Sequence, residues 1–308
     1  MYTGNSAYCY SNSLHICLQA AGMGAVPNVG FLECLTGLPF GSCFISDDDL
    51  PLFFPSPART HPHEGLSRAL ETLGWTCNLW QGDNATEARV VLESALSNGP
   101  VLLGPVDMSF LSYDPNHKNK TGADHFVVVV GMDGDLVTLH DPQFYPYATL
   151  PLNELMQAWN ATPIGYMEIP YTLRTDFREV TRVARDRQVR RTLDAARMMQ
   201  TDVCEGPVAY AGATAFKKVV ALLEPSPPPA LIGFLIHFAL PLGARRCIDA
   251  RQFMAEAGQS GLMTLYDDKA KLYGRAQYYA VAEKWEIVSE IFGALAELED
   301  QLQVFETD

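Results

Sequence analysis

The stretch from His125 to Asp141 constrains this chain more than any other. Four consecutive valines, Val127 to Val130, follow His125 and Phe126. Their β-branched side chains suit a pleated surface better than a helix. A second apolar run, Leu136 to His140, comes soon after, with Asp133-Gly134 between the two. An Asp-Gly pair readily takes the positive φ angles of a tight hairpin turn. The pattern therefore predicts antiparallel strands over His125–Gly131 and Leu136–His140. The chemical consequence is that His125, opening one strand, and Asp141, leaving the other, fold back toward each other.

Around this hairpin the sequence reads as alternating helices and strands. Residues 9–21 place Leu14, Cys17, Leu18 and Ala21 on one helical face, and Gly22 and Gly24 stop the helix. Residues 29–45 start as a short helix and pass into an extended run at Cys43-Phe44-Ile45, before a solvated turn at Asp47, Asp48 and Asp49. Pro62 opens a helix through Leu73, and a strand is expected from Trp75 to Trp80. Asn84 with Glu87 is a capping-box pattern ahead of a helix over 85–97. Pro100–Gly104 reads as a buried strand, Asp107–Asp124 as a surface loop, Leu152–Trp159 as a helix and Tyr166–Tyr171 as a closing strand. Together these predict an α+β domain over residues 1–172. Beyond Arg174 the pattern is helical, broken by the proline run Pro225–Pro229, so residues 173–308 read as a helical domain.

Composition excludes several function classes. With 308 residues and 48% hydrophobic content the chain can bury a full core. Its net charge of -14, from 22 basic and 36 acidic residues, offers no uniform basic field for nucleic acid. No apolar run is seen to approach the roughly 18 to 20 residues of a membrane span, and the N-terminus lacks a basic segment followed by an apolar one. A cytoplasmic protein without a membrane partner is expected. Seven cysteines, without CxxC pairs or metal-ligand spacing, suggest neither a disulfide framework nor a zinc ribbon. His61, His63 and Glu64 suit the opening turn of a helix better than a metal. No cofactor or metal is expected.

Cys9 stands where an extended segment becomes a helix, a place where the positive end of the helix dipole favours a thiolate. With His125 and Asp141 delivered by the hairpin, it completes the set that nucleophilic catalysis needs: a thiol, a base and an acid that orients the base.

These residues resemble a known family. Gly4–Leu14 (GNSAYCYSNSL), Glu33 with Gly37, and above all Gly99–Pro142 are similar to the butirosin biosynthesis H-type proteins, whose N-terminal domain is related to C39 peptidases and papain. Gly258–Leu265 and the helix around Trp285 resemble the helical domain that accompanies it. The resemblance implies a papain-like fold with a C-terminal all-helical domain. It also implies a Cys-His-Asp site, in secondary metabolism, that moves an acyl group from a phosphopantetheinyl carrier-protein thioester to an amine. Cys9 is then the nucleophile, His125 the base and Asp141 the orienting acid. Papain-like enzymes commonly place a Gln six residues before the Cys to bind the oxyanion; here that residue is Thr3, leaving Asn5 or the backbone amides of Cys9 and Tyr10. Glu33 is placed in substrate binding by the resemblance, with a buried salt bridge as the alternative, and Asp107, at a strand exit, is a candidate for binding a cationic acceptor amine, with a solvated loop carboxylate as the alternative.

Arg174, Arg178, Arg182 and Arg185 recur at helical spacing. Arg178, Arg182 and Arg185 are the candidate docking face for an acidic carrier, and a solvated helix with ion pairs is the plain alternative. Two rival functions use the same residues: a thioesterase, amidase or peptidase with water as acceptor, and a binding protein without turnover. A homo-oligomer is compatible with either.

Overall fold

The structure is a computed structural model describing residues 1–5, 8–46, 51–57, 61–166, 169–200, 209–223 and 227–307. In chain order its elements are α1 (Cys9–Ala20), α2 (Val29–Thr36), β1 (Cys43–Ile45), β2 (Leu52–Phe54), α3 (Pro62–Leu73), β3 (Trp75–Gly82), α4 (Ala85–Leu96) and β4 (Val101–Asp107). Then follow β5 (Asp124–Asp133), β6 (Leu136–Asp141), β7 (Tyr145–Pro151), α5 (Leu152–Asn160), β8 (Tyr171–Glu179), α6 (Arg185–Gln200) and β9 (Ala209–Ala211). The chain ends in helices α7 (Gly212–Leu223), α8 (Pro229–Phe234), α9 (Leu240–Glu256), α10 (Ser260–Val281) and α11 (Trp285–Thr307). The Asp47–Asp49 turn and the start of the proline run lie outside the described residues.

Two compact units emerge, Met1–Val29 with Leu73–Arg182, and Gly30–Thr72 with Val183–Asp308. The first is α+β. Its six strands run in the order β3-β8-β4-β5-β6-β7, and every neighbouring pair is antiparallel. The hairpin forms as the sequence predicts: Val128 faces His140 and Val129 faces Leu139, with Gly134 at φ 58° in the turn. Alternation along β5 divides its side chains between two layers. Val127 and Val129 join Val101, Leu103, Leu139, Leu155 and Trp159 in a buried cluster beneath α4 and α5. Phe126 turns toward α1, where its ring meets Tyr10 edge-on at 5.4 Å and its carbonyl accepts from the Ser13 hydroxyl. The buried indole of Trp159 donates to the Thr172 carbonyl at 2.9 Å, so the layer closes without leaving that donor unpaired.

Two strands differ from the sequence reading. The closing strand β8 begins at Tyr171 rather than ending there, and it runs past Arg174 to Glu179. It pairs with β3 on one side and β4 on the other, and this pairing overrides the helical spacing of its arginines. Arg174, only 3% exposed, donates to the Cys77 sulfur at 3.4 Å. Strand β7 was not anticipated because it contains Pro146 and ends at Pro151. At the sheet's outer edge a missing N–H costs no ladder bond.

The second unit is mainly helical, with one small sheet of order β2-β1-β9, and it takes in residues 30–72, which the sequence reading places in the first domain. Its core is aromatic: Phe53 lies 5.0 Å from Phe216 and 5.5 Å from Phe292, and Phe40 lies 5.7 Å from Phe253. Pro229–Glu256 forms one continuous stretch of 28 residues, long and apolar enough by length and composition to cross a membrane, although the sequence offers no uninterrupted apolar run. Of its apolar window 44% is buried, and it carries Arg245, Arg246, Asp249 and Arg251.

Glu33 belongs to this second unit. Its Oε1 accepts from both Nε and Nη2 of Arg246, at 3.0 and 2.8 Å, and Arg246 also reaches the Pro55 carbonyl at 3.0 Å. The carboxylate is fully buried, in the internal ion pair that the sequence offers as the alternative to substrate binding. Lys269 and Glu299 form a second buried pair. Breaking such a pair from one side strands the other charge, at about 3–5 kcal/mol. Glu33→Ala should therefore lower the stability of this unit by about that much, measured as a drop in the urea or thermal midpoint. An unchanged midpoint with altered substrate affinity would return Glu33 to the substrate.

Candidate active site

Helix α1 opens abruptly. Tyr8, the residue before Cys9, sits at φ 60° and ψ 52°, with no side-chain cap for the helix and no acidic residue in the first turn. A bulky residue in the left-handed region is strained, and such strain persists only where the surroundings enforce it. The result is a helix that opens without an acidic residue in its first turn, with Cys9 as its first residue. The preceding segment is tied down by side chains: Asn12 donates to Asn5 Oδ1 at 2.8 Å, and Thr3 Oγ1 pairs with His15 Nδ1 at 3.0 Å. Because Asn5 uses its carbonyl oxygen on Asn12, its amide NH2 is the end able to donate elsewhere. Tyr10 is buried against Phe126, so at that position the backbone amide is the group relevant to an oxyanion.

His125 and Asp141, each 1% exposed, meet where the hairpin strands run together, with Nε2 2.6 Å from Oδ1. Cys9 lies close enough to His125 to favour the charged form of its ring. With Nε2 committed to Asp141, Nδ1 is the ring nitrogen left for the sulfur. The structure thus pairs His125 directly with Asp141 and sets Cys9 beside the histidine.

Burial by itself would push the imidazole toward its neutral form, but the charge and hydrogen bond of Asp141, with Cys9 adding to them, lift its pKa from 6.5 to about 10. Burial likewise opposes the Asp141 carboxylate. Its pKa is nonetheless lowered, by the charge and hydrogen bond of His125, the Gln143 amide and the Tyr113 hydroxyl. Asp141 Oδ1 accepts the Gln143 N–H at 2.7 Å and Oδ2 accepts the Tyr113 hydroxyl at 2.9 Å. Tyr2 donates to the Asp141 carbonyl at 2.9 Å and accepts from the Phe144 N–H at 3.1 Å.

Sequence reasoning missed Tyr2, Tyr113 and Gln143. The Gln143 bond had a signal: Asp-Pro-Gln is the pattern in which an aspartate side chain bonds the backbone two residues on. Tyr113 lies in an aperiodic loop and had none.

The remaining candidates are placed elsewhere. Asp107 is wholly buried. Its Oδ1 accepts from the Ser109 and Gly122 amides at 2.9 and 3.3 Å, closing the neck of the segment between β4 and β5, while its buried Oδ2 has no hydrogen-bond partner among the described residues. Arg178 lies on β8 and donates to Asn78 and to the Asp176 carbonyl. Arg182 lies in the connection after β8, and helix begins only at Arg185, whose guanidinium is bound to both oxygens of Glu256. No single helical face carries these arginines, because β8 claims the first part of the run. His61 and His63 stack at 5.3 Å, and among the described residues no group of three His, Cys, Asp or Glu side chains is arranged to hold a metal.

Linkage fixes the pH dependence. A raised histidine pKa contributes stability that is full below about 6.5 and is lost as the pH climbs through about 10. The lowered Asp141 pKa contributes stability lost as the pH falls below the ordinary carboxylate range. An NMR titration should therefore find His125 protonated through pH 8, and Asp141→Asn should move its pKa down. A midpoint near 6.5 in both proteins would contradict the pairing.

Residues 9–142 match the family model for the N-terminal domain of butirosin biosynthesis protein H, and residues 206–305 match that of the YobF C-terminal domain. Over 306 residues the chain is 29% identical to the uncharacterized protein YobF of Bacillus subtilis strain 168, covering 99% of this chain and 97% of that one. A solved structure of a proposed C39-like peptidase from Bacillus anthracis, 17% identical, aligns over 58% of this chain and 95% of its own with a TM-score of 0.39, too distant a likeness to build on. Cys9, His125 and Asp141 all fall within the butirosin-type match. The chain is therefore similar over residues 9–142 to the N-terminal domain of butirosin biosynthesis protein H and over residues 206–305 to the YobF C-terminal domain.

Proposed function

We propose that the chain is a cysteine acyltransferase in which Cys9, His125 and Asp141 act as nucleophile, base and orienting acid. The observation that carries this reading is the buried His125–Asp141 hydrogen bond of 2.6 Å, with Cys9 beside the imidazole. The Cys9 sulfur attacks the carbonyl of a thioester donor, and the tetrahedral oxyanion is met by N–H groups at the start of α1, with the Asn5 amide as a side-chain donor. Collapse expels the donor thiol, which takes its proton from the His125 imidazolium. The imidazole then accepts a proton from the acceptor amine as its nitrogen attacks the acyl-Cys9 thioester, releasing an amide and restoring the cysteine.

The family resemblance supports a phosphopantetheinyl carrier protein as donor and an amine-bearing small molecule as acceptor. The carrier's docking surface is not assigned to Arg178, Arg182 and Arg185, since no helix joins them. With water as acceptor the same residues would give a thioesterase or amidase.

Intact-mass spectrometry after incubation with acyl-carrier thioesters and with small soluble thioesters tests this. The expected result is a mass gain confined to Cys9, absent in Cys9→Ala, retained in Cys77→Ala, and discharged to an amide when amines are added. Discharge to free acid alone would make the protein a hydrolase, and an adduct surviving Cys9→Ala would remove the nucleophile assignment. Among variants, His125→Ala should lose roughly 10²–10⁴-fold in the rate of acyl transfer. Asp141→Asn should lose less, because an amide can still hold the ring. Equal, small effects from both would mean that the pair plays no part in the chemistry.

A further inference from the structure

An aspartate carboxylate rotates easily about its last bond, which has a broad, roughly two-fold profile. A carboxylate held through one oxygen can therefore swing and present the other. Asp141 is held through both. Oδ1 receives His125 Nε2 and the Gln143 amide, and Oδ2, the oxygen that His125 does not use, receives the Tyr113 hydroxyl at 2.9 Å. Rotation would break all three bonds where the side chain is 1% exposed and little water is at hand to replace them.

Tyr113 comes from the segment between β4 and β5, and a loop side chain can hold a fixed bond only if the loop is itself fixed. This one is. Asp107 closes its neck through Ser109 and Gly122. Next to Tyr113, Asp114 accepts from Lys120 Nζ at 2.6 Å and from the Asn116 amide at 2.9 Å. Lys120 continues to Gln143 Oε1 at 3.3 Å, and Tyr145 reaches Asp114 at 3.4 Å while its ring lies 5.3 Å from that of Tyr113. The segment is thus stapled to the residues that follow Asp141.

We propose that Tyr113 is a positioning residue, which locks the Asp141 carboxylate in the orientation that His125 needs and makes the segment between β4 and β5 part of the site. Burial and the neighbouring Asp141 hold the Tyr113 phenol protonated, its pKa well above the ordinary value, so it remains a donor across the working range. The catalytic consequence rests on the reading of Cys9, His125 and Asp141 given above; the positioning itself does not.

Tyr113→Phe keeps the ring and removes only the hydroxyl, and Tyr145→Phe loosens the same segment without touching Asp141. Both are made in the full chain and compared by three measurements: the rate of Cys9 alkylation by iodoacetamide, the far-downfield Nε2–H resonance of ¹⁵N-labelled His125, and the thermal midpoint. Tyr113→Phe should slow alkylation by roughly tenfold, the scale of one lost hydrogen bond to a charged group, and should broaden or shift the resonance. Tyr145→Phe should leave both near wild type. Wild-type alkylation and resonance in Tyr113→Phe, even with a lowered midpoint, would make the residue merely structural and overturn the proposal. If wild-type Cys9 reacts no faster than free cysteine, the catalytic reading falls, and the resonance still decides the role of Tyr113.

Discussion

The contact between His125 and Asp141 is the constraint on which the rest of the first unit depends. Two groups that are each 1% exposed can stay charged only if they face each other and their remaining hydrogen-bonding capacity is met. The 2.6 Å bond meets the first condition, and Gln143 and Tyr113 meet the second for the carboxylate. The same arrangement explains why the histidine pKa rises to about 10 in a place where burial alone would lower it. A charged imidazole held beside a cysteine is a source of chemistry as well as of stability.

The sheet exists around that contact. Pairing β5 with β6 sets Val128 against His140, and the turn at Gly134 fixes the register, so Asp141 emerges beside the start of β5. On the other face, α1 packs against Phe126 through Tyr10 and Ser13. That packing places the first turn of the helix near His125, and the strained Tyr8 delivers Cys9 at its opening. Three short pieces of chain, far apart in sequence, are fixed by ordinary ladder bonds and core packing before any chemistry is asked of them.

Much of this was legible in the sequence, for identifiable reasons. The hairpin declared itself through β-branched runs around Asp-Gly, and helix α4 through Asn84, whose side chain accepts from the Thr86 and Glu87 amides. Cys9, His125 and Asp141 could be picked out because each sits at an element boundary that local pattern reveals. What stayed hidden depends on partners rather than pattern. Strand β8 carries arginines at helical spacing and becomes a strand only because β3 and β4 flank it. Strand β7 contains prolines that only an edge position tolerates, and Glu33 finds its partner in Arg246, far along the chain. Tyr113 is the plainest case, since nothing in an aperiodic loop announces which of its side chains will turn inward.

The central claim is that His125, held charged by Asp141, makes Cys9 a nucleophile. The most direct measurement is the alkylation rate of Cys9 relative to half-buried Cys77 within the same molecule, in the wild type and in His125→Ala, with each site read by peptide mass spectrometry. The account predicts that Cys9 reacts much faster than Cys77 in the wild type and falls to a comparable rate in His125→Ala, while Cys77 does not change. Equal rates in the wild type, or a Cys9 rate indifferent to the loss of His125, would contradict it.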